Sequence, residues 1–199
     1  MAETIGISEI AEKISDEIFS HFLWEIHPRR NDNFQCKNAN HTSASGTQKT
    51  THPGDVIFHY EDPYLGKRIF LHTDLKSYSE ASVNKSQLTG ALQSLSMAVE
   101  CANQSAHWRE KYSVDNSQPH EVRGLLFVHN YTKGYEKSFH DLIASIKLDK
   151  LPLPPNLVLH FLGPRDVNRL WTIVNDIIRL IGTKKISDSY TFFYPDLAG

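Results

Sequence analysis

The sequence predicts a mixed α/β fold, with a sheet that contains parallel members and helices on both of its faces. Three observations point there. Two short apolar runs, at residues 124–130 and 156–163, alternate with amphipathic segments, the pattern of strands joined by crossover helices. Residues 55–61 and 68–78 are rich in β-branched and aromatic side chains and flank a turn-forming stretch, so they read as a hairpin. A chain of 199 residues is also long enough for one compact α/β domain and short for two.

Each element follows from its own pattern. Ile7, Ile10, Ala11, Ile14, Ile18 and Phe22 recur at helical spacing, and Pro28 stands beyond them, which predicts a first helix over about 5–26. Residues 27–54 are polar, rich in Asn, Ser and Thr, and without periodicity, so they form a long loop. Loops of that length in a compact domain are functional or disordered. The hairpin comes next. A helix over about 87–102 carries Leu88, Ala91, Leu92, Leu95, Ala98, Val99 and Ala102 on one stripe. A strand at 124–130, a helix around Phe139, Leu142, Ile143 and Ile146, and a strand at 156–163 complete the alternation. The last helix has Pro164 in its first turn and Gly182 at its close. Its buried face reads as Val167, Leu170, Trp171, Val174, Ile177, Ile178 and Ile181. A short strand at 190–195 would follow. The whole chain reads as a single domain, and its stop at Asp196-Leu197-Ala198-Gly199 without a polar tail fits the N-terminal domain of a longer protein.

Composition narrows the functional classes. Hydrophobic residues make up 40% and charged residues 22%, which excludes disorder, coiled coil and collagen. No apolar run reaches transmembrane length, and the acidic N-terminus lacks the basic and apolar regions of a secretion signal. Two cysteines, Cys36 and Cys101, are too few for a disulfide framework and fit a reducing compartment, so a cytoplasmic location is expected. The net charge is −2, which argues against coating nucleic acid by charge alone. It leaves room for a nucleic-acid enzyme, because carboxylates that hold a metal add negative charge.

The informative stretch runs from Asp55 to Lys76. Opposed residues in an antiparallel pair keep a constant index sum. If Glu61 faces Arg68 the sum is 129, and Asp55 with Asp74 has the same sum. Directly opposed residues share a face, with Cβ atoms about 4.5–5.5 Å apart. Lys76 shares that face by the period of two. Two carboxylates and an ammonium then converge at one end of the hairpin. Carboxylates so close repel unless something neutralises them, and a divalent cation does so. Such a cation also neutralises a phosphodiester and acidifies a water, while a lysine orients that water or stabilises developing charge.

Asp55, the hairpin and Asp74-Leu75-Lys76 resemble the PD-(D/E)XK signature of the restriction-endonuclease-like nucleases. The element order of helix, hairpin, helix and strand is similar to that family's core over about the first two thirds of the chain. The resemblance implies a restriction-endonuclease-like mixed sheet and an endonuclease dependent on Mg²⁺, with Mn²⁺ able to substitute. It implies Asp55 and Asp74 as metal ligands and Lys76 as the catalytic lysine. It further implies a nucleic-acid substrate, DNA ahead of RNA, and a setting in restriction or anti-phage defence, with a second copy or a fused or partner protein. Gly54 departs from the pattern, since the family often has proline there. Asp62-Pro63 is a competing first acid, but it falls in the turn. The alternative is a catalytically silent module of the same fold that binds nucleic acid or protein.

Family members often carry a glutamate on the first helix, and Glu25 lies five full turns from Ile7 at about 100° per residue, in the middle of the apolar stripe. It is the third candidate acid. Arg29, Arg30, Lys37 and Lys49 against a single Asp32 make the 27–54 loop basic, and they are candidate phosphate contacts. Cys36, His41 and His52 lack a fourth ligand and paired spacing, so zinc is not expected there. Cys101 has no neighbouring base in the sequence, and His59 and His72 read as packed strand residues. Serine-hydrolase elbows, Walker loops, dinucleotide fingerprints and zincin helices are absent.

Overall fold

The computed structural model describes residues 2–43, 45–78, 84–130, 139–148, 151 and 153–192. Helix α1 spans Ala2–Glu17, and a 3₁₀ turn follows at Phe19–Phe22. Strand β1 is Glu25–Ile26, β2 is Phe34–Gln35 and β3 is Thr51–His52. The hairpin is β4, Val56–Asp62, and β5, Lys67–Tyr78. Helices α2, Lys85–Gln104, and α3, Ala106–Lys111, lead to β6, His120–Asn130. Helix α4, Phe139–Ala144, strand β7, Leu159–Leu162, and helix α5, Pro164–Gly182, complete the described elements.

The main sheet has the order β1-β4-β5-β6-β7. Strand β4 runs antiparallel to both of its neighbours, β1 and β5, whereas β6 runs parallel to β5 and β7 parallel to β6. This is the mixed sheet that the alternation of apolar strands and helices predicts. The side-chain period of two sorts the hairpin between two cores. Val56, Phe58, Ile69, Leu71 and Leu75 face Ala11 and Ile18, Phe19 of the 3₁₀ turn, and Val174 of α5. Ile57 and Phe70 face Ala98, Cys101 and Ala102 of α2 and Trp108 of α3. Farther along the second face, Leu126 and Val128 meet Leu88, Leu92, Leu95 and Val99 of α2 and Phe139 of α4. Helices therefore cover both faces of the sheet.

Local chemistry sets the boundaries. Asp62 Oδ1 accepts from the N–H groups of Tyr64 and Leu65, each at 3.0 Å, so Asp62 starts the hairpin turn. Asn84 caps α2 by accepting from Gln87 N–H at 3.0 Å, and Ser105 caps α3 by accepting from Trp108 N–H at 3.1 Å. Asp166 Oδ2 accepts from Gly163 N–H at 2.8 Å at the start of α5.

Four expectations need correction. The first helix stops at Glu17, and the apolar repeat that continues to Phe22 belongs to the 3₁₀ turn, where Phe19 packs edge-on against Phe58 at 4.9 Å. Leu23, at φ 62°, turns the chain so that β1 can pair with the open edge of β4. The 27–54 stretch is not bare loop, because β2 pairs with β3 and Thr42 bridges Gln48. Two-residue strands are too short to show a period. On α5, Val174 and Ile177 are buried, while Trp171 and Ile178 are 43% and 50% exposed. Of the strand expected at 190–195, residues 190–192 form no strand and the remainder lies outside the described residues.

Candidate active site

The hairpin ladder runs from Asp62↔Lys67 through Glu61↔Arg68 to Val56↔Thr73. That is the register with the constant sum of 129, so Asp55 and Asp74 lie one step beyond its end. Where the ladder stops, the Asp55 side chain takes the place of a strand partner. Its Oδ2 accepts from Leu75 N–H at 3.0 Å. Lys76 Nζ lies 2.6 Å from Asp74 Oδ1. Asp55 and Asp74 face α2 and share a small pocket with Pro53, His72, Thr73, Ser94, Leu95 and Ala98.

The electrostatics follow from this enclosure. Burial first, and the Asp74 charge second, push the Asp55 carboxyl up to about 6. The Leu75 hydrogen bond and the Lys76 ammonium oppose that rise. Two carboxyl groups that resist joint ionisation in a half-buried pocket form an oxygen donor set whose strain a divalent cation relieves. The residues present therefore fit such an ion.

His72 supports this end of the strand without facing the pocket as a free base. It is 1% exposed, its Nε2 donates to the Pro53 carbonyl at 2.9 Å, and burial holds its pKa down to about 4. That hydrogen bond fixes the backbone two residues before Asp55. Gly54 is packed as tightly. A Cβ there would meet Tyr112 Oη at 2.6 Å and the Asp32 carbonyl at 2.8 Å. This explains why the position before Asp55 carries no side chain in this sequence.

Glu25 is not on a helix and does not join the acids. It is exposed on β1 opposite His59, four residues along β4 from Asp55, or about 13 Å of strand. The helical bearing that places it centrally is void once the helix ends at Glu17.

The basic loop residues have diverse partners. Arg30 is paired with Glu12, and Arg29 lies 3.7 Å from Asp32. Lys37 donates to Gln35 Oε1 at 3.3 Å. Lys49 donates to Ser94 Oγ at 3.1 Å. Ser94 lines both the acidic pocket and a broader cavity of about 830 Å³ between the 38–49 segment, α2 and residues 153–155. Lys49 is thus the loop cation that this serine links to the acids. The amphipathic pattern of α2 marks its apolar stripe and carries no signal for Ser94.

No described helix is long and apolar enough to cross a membrane. No curated protein and no solved structure matches the chain. A family model does match, over residues 1–166, a span that holds the acidic pair, the lysine and all seven strands of the described residues. The chain belongs to the family described as the GAPS4 protein PD-(D/E)XK nuclease domain.

Proposed function

We propose that the protein is a divalent-metal-dependent endonuclease that hydrolyses phosphodiester bonds at the Asp55–Asp74–Lys76 cluster, within a single nuclease domain. The observation that carries this reading is the half-buried carboxylate pair with an ammonium 2.6 Å from one of its members. Asp55 and Asp74 would hold Mg²⁺, with Mn²⁺ as a substitute. Bound there, the cation neutralises charge on the scissile phosphate and lowers the pKa of a water.

The chain's own groups supply the rest. The Leu75 N–H holds the Asp55 carboxylate in place. The ion pair with Asp74 holds the Lys76 ammonium beside the acids, where it would orient the attacking water and stabilise charge developing on the phosphate. Lys49, beside Ser94, supplies a phosphate contact as the substrate enters. The membership of a nuclease-domain family supports nucleic acid as the substrate, and DNA ahead of RNA is part of the proposal. The proposal extends to a role in restriction or anti-phage defence, with a second copy or a partner protein to cut both strands.

Labelled single- and double-stranded DNA and RNA, incubated with Mg²⁺ and either wild type or Lys76→Ala, test the proposal. Cleavage by wild type that is lost on chelation and in Lys76→Ala is the expected result. Equal cleavage by both proteins overturns it, and binding without cleavage of any substrate favours the silent module.

A further inference from the structure

Cys36, His41, His52 and Cys101 are distant in sequence yet converge beside the nuclease pocket. Their potential ligand atoms all lie within 4.8 Å of one another. His41 Nδ1 is 3.3 Å from His52 Nε2 and 3.5 Å from each of the two sulfurs, and the sulfurs are 3.8 Å apart. A tetrahedral zinc site with Zn–S of about 2.3 Å and Zn–N of about 2.0–2.1 Å has edges of about 3.8 Å between sulfurs, about 3.3–3.4 Å between nitrogens and about 3.6 Å between sulfur and nitrogen. These four spacings match those edges, and the two sulfurs are too far apart for a disulfide.

We propose that Cys36, His41, His52 and Cys101 bind one structural zinc ion. The surroundings suit that role. His41, His52 and Cys101 are 5% exposed or less, and four protein ligands leave no open position for substrate. Glu100 Oε2 accepts from His41 Nε2 at 2.8 Å, which leaves the Nδ1 lone pair facing the cluster. A carboxylate behind a ligating histidine is the usual outer partner of zinc. Lys37 N–H donates to Cys101 Sγ at 3.4 Å, as backbone amides do to thiolates. His52 is fully buried with its ring edge against His41, an arrangement of two nitrogens that a shared cation explains. Both thiols give up their protons on binding, so the neutral site (two thiolates, two imidazoles and Zn²⁺) adds no net charge to the interior.

The sequence shows three of these ligands, and zinc is unexpected from it for want of a fourth. Cys101 supplies it from α2, some fifty residues beyond His52. The ion would tie β3, through His52, and the segment between β2 and β3, through Cys36 and His41, to α2. Pro53, Gly54 and Asp55 follow His52 directly, so the same tie sets where the first acid enters the pocket.

The test uses the purified full chain. Metal analysis after dialysis without chelator is expected to find about one zinc per chain. Thiol titration is expected to show both cysteines shielded until a strong chelator is added. Replacement of the zinc by Co²⁺ is expected to give thiolate-to-metal charge-transfer bands and the intense d–d bands of a tetrahedral site. Cys36→Ser and Cys101→Ser are expected to lose the ion, and Asp74→Asn to keep it, which separates this site from the acidic pair. A wild-type chain that takes up neither zinc nor cobalt when reduced overturns the proposal. So does a chain whose cysteines form a disulfide, or zinc that stays in both serine variants. If the serine variants fail to fold, the wild-type stoichiometry and cobalt spectrum decide the matter alone.

Discussion

Asp55→Asn should make the metal-free protein more stable while abolishing cleavage. The Asp55 carboxyl rises from 3.8 to about 6, chiefly through burial and then through the Asp74 charge. A folded pKa above the unfolded one means that the native state holds the proton more tightly. Stability therefore falls as pH rises from about 4 to about 6, and the whole penalty is present above that window. A shift of about two units corresponds to about 3 kcal/mol. That is a ceiling, because both carboxylates are only partly buried and solvent screens them, so a gain of about 1–3 kcal/mol is expected at about pH 8. Asparagine keeps an oxygen to accept from Leu75 N–H, so no buried donor is orphaned. Urea unfolding at about pH 8 without added divalent cations measures the gain. Mg²⁺ should then stabilise wild type and leave the variant unchanged. A variant no more stable than wild type at about pH 8, or one whose advantage persists undiminished near pH 4, where both side chains are neutral, would refute a raised Asp55 carboxyl.

Lys76→Met should keep the fold and lower cleavage about 10²–10⁴-fold, read in single-turnover assays against Mg²⁺-dependent stabilisation, which is retained. Gly54→Ala forces the Asp32 carbonyl or Tyr112 to move, and should cost about 1–3 kcal/mol in chemical unfolding together with reduced cleavage. Gly124→Ala, where a Cβ would meet Leu159 at 2.5 Å, should cost about as much and leave the cleavage rate of the folded fraction intact. Burial lowers the pKa of His160, beside Arg123 and Glu121. The unfolded chain thus binds a proton that the folded one refuses, and stability drops as pH falls below about 6.5. His160→Gln should flatten that slope by no more than about 1.4 kcal/mol per pH unit, and an unchanged slope would show that this ring does not titrate as described.

How much of this was legible in the sequence depends on the range over which each signal acts. The alternation in 55–61 and 68–78 is local, and the turn at Asp62 closes it, so the register and the meeting of Asp55 with Asp74 could be read directly. The apolar stripe of α2 was equally plain. Glu25 shows the limit of periodicity. The repeat of apolar residues continues past Glu17 because Phe19 and Phe22 pack in the core, although the backbone has left the helix. Only the open edge of β4 explains why Glu25 becomes a strand residue.

The sequence by itself determined the alternation of strands and helices, the hairpin register and the acid pair with its lysine. Each of these rests on spacing between near neighbours. The tertiary structure decided what the 27–54 stretch is. It joins Lys49 to Ser94 at the acidic pocket and brings Cys101 of α2 to Cys36, His41 and His52. Those contacts depend on how a loop without a period folds back across a helix some sixty residues away, and no local pattern records such a path.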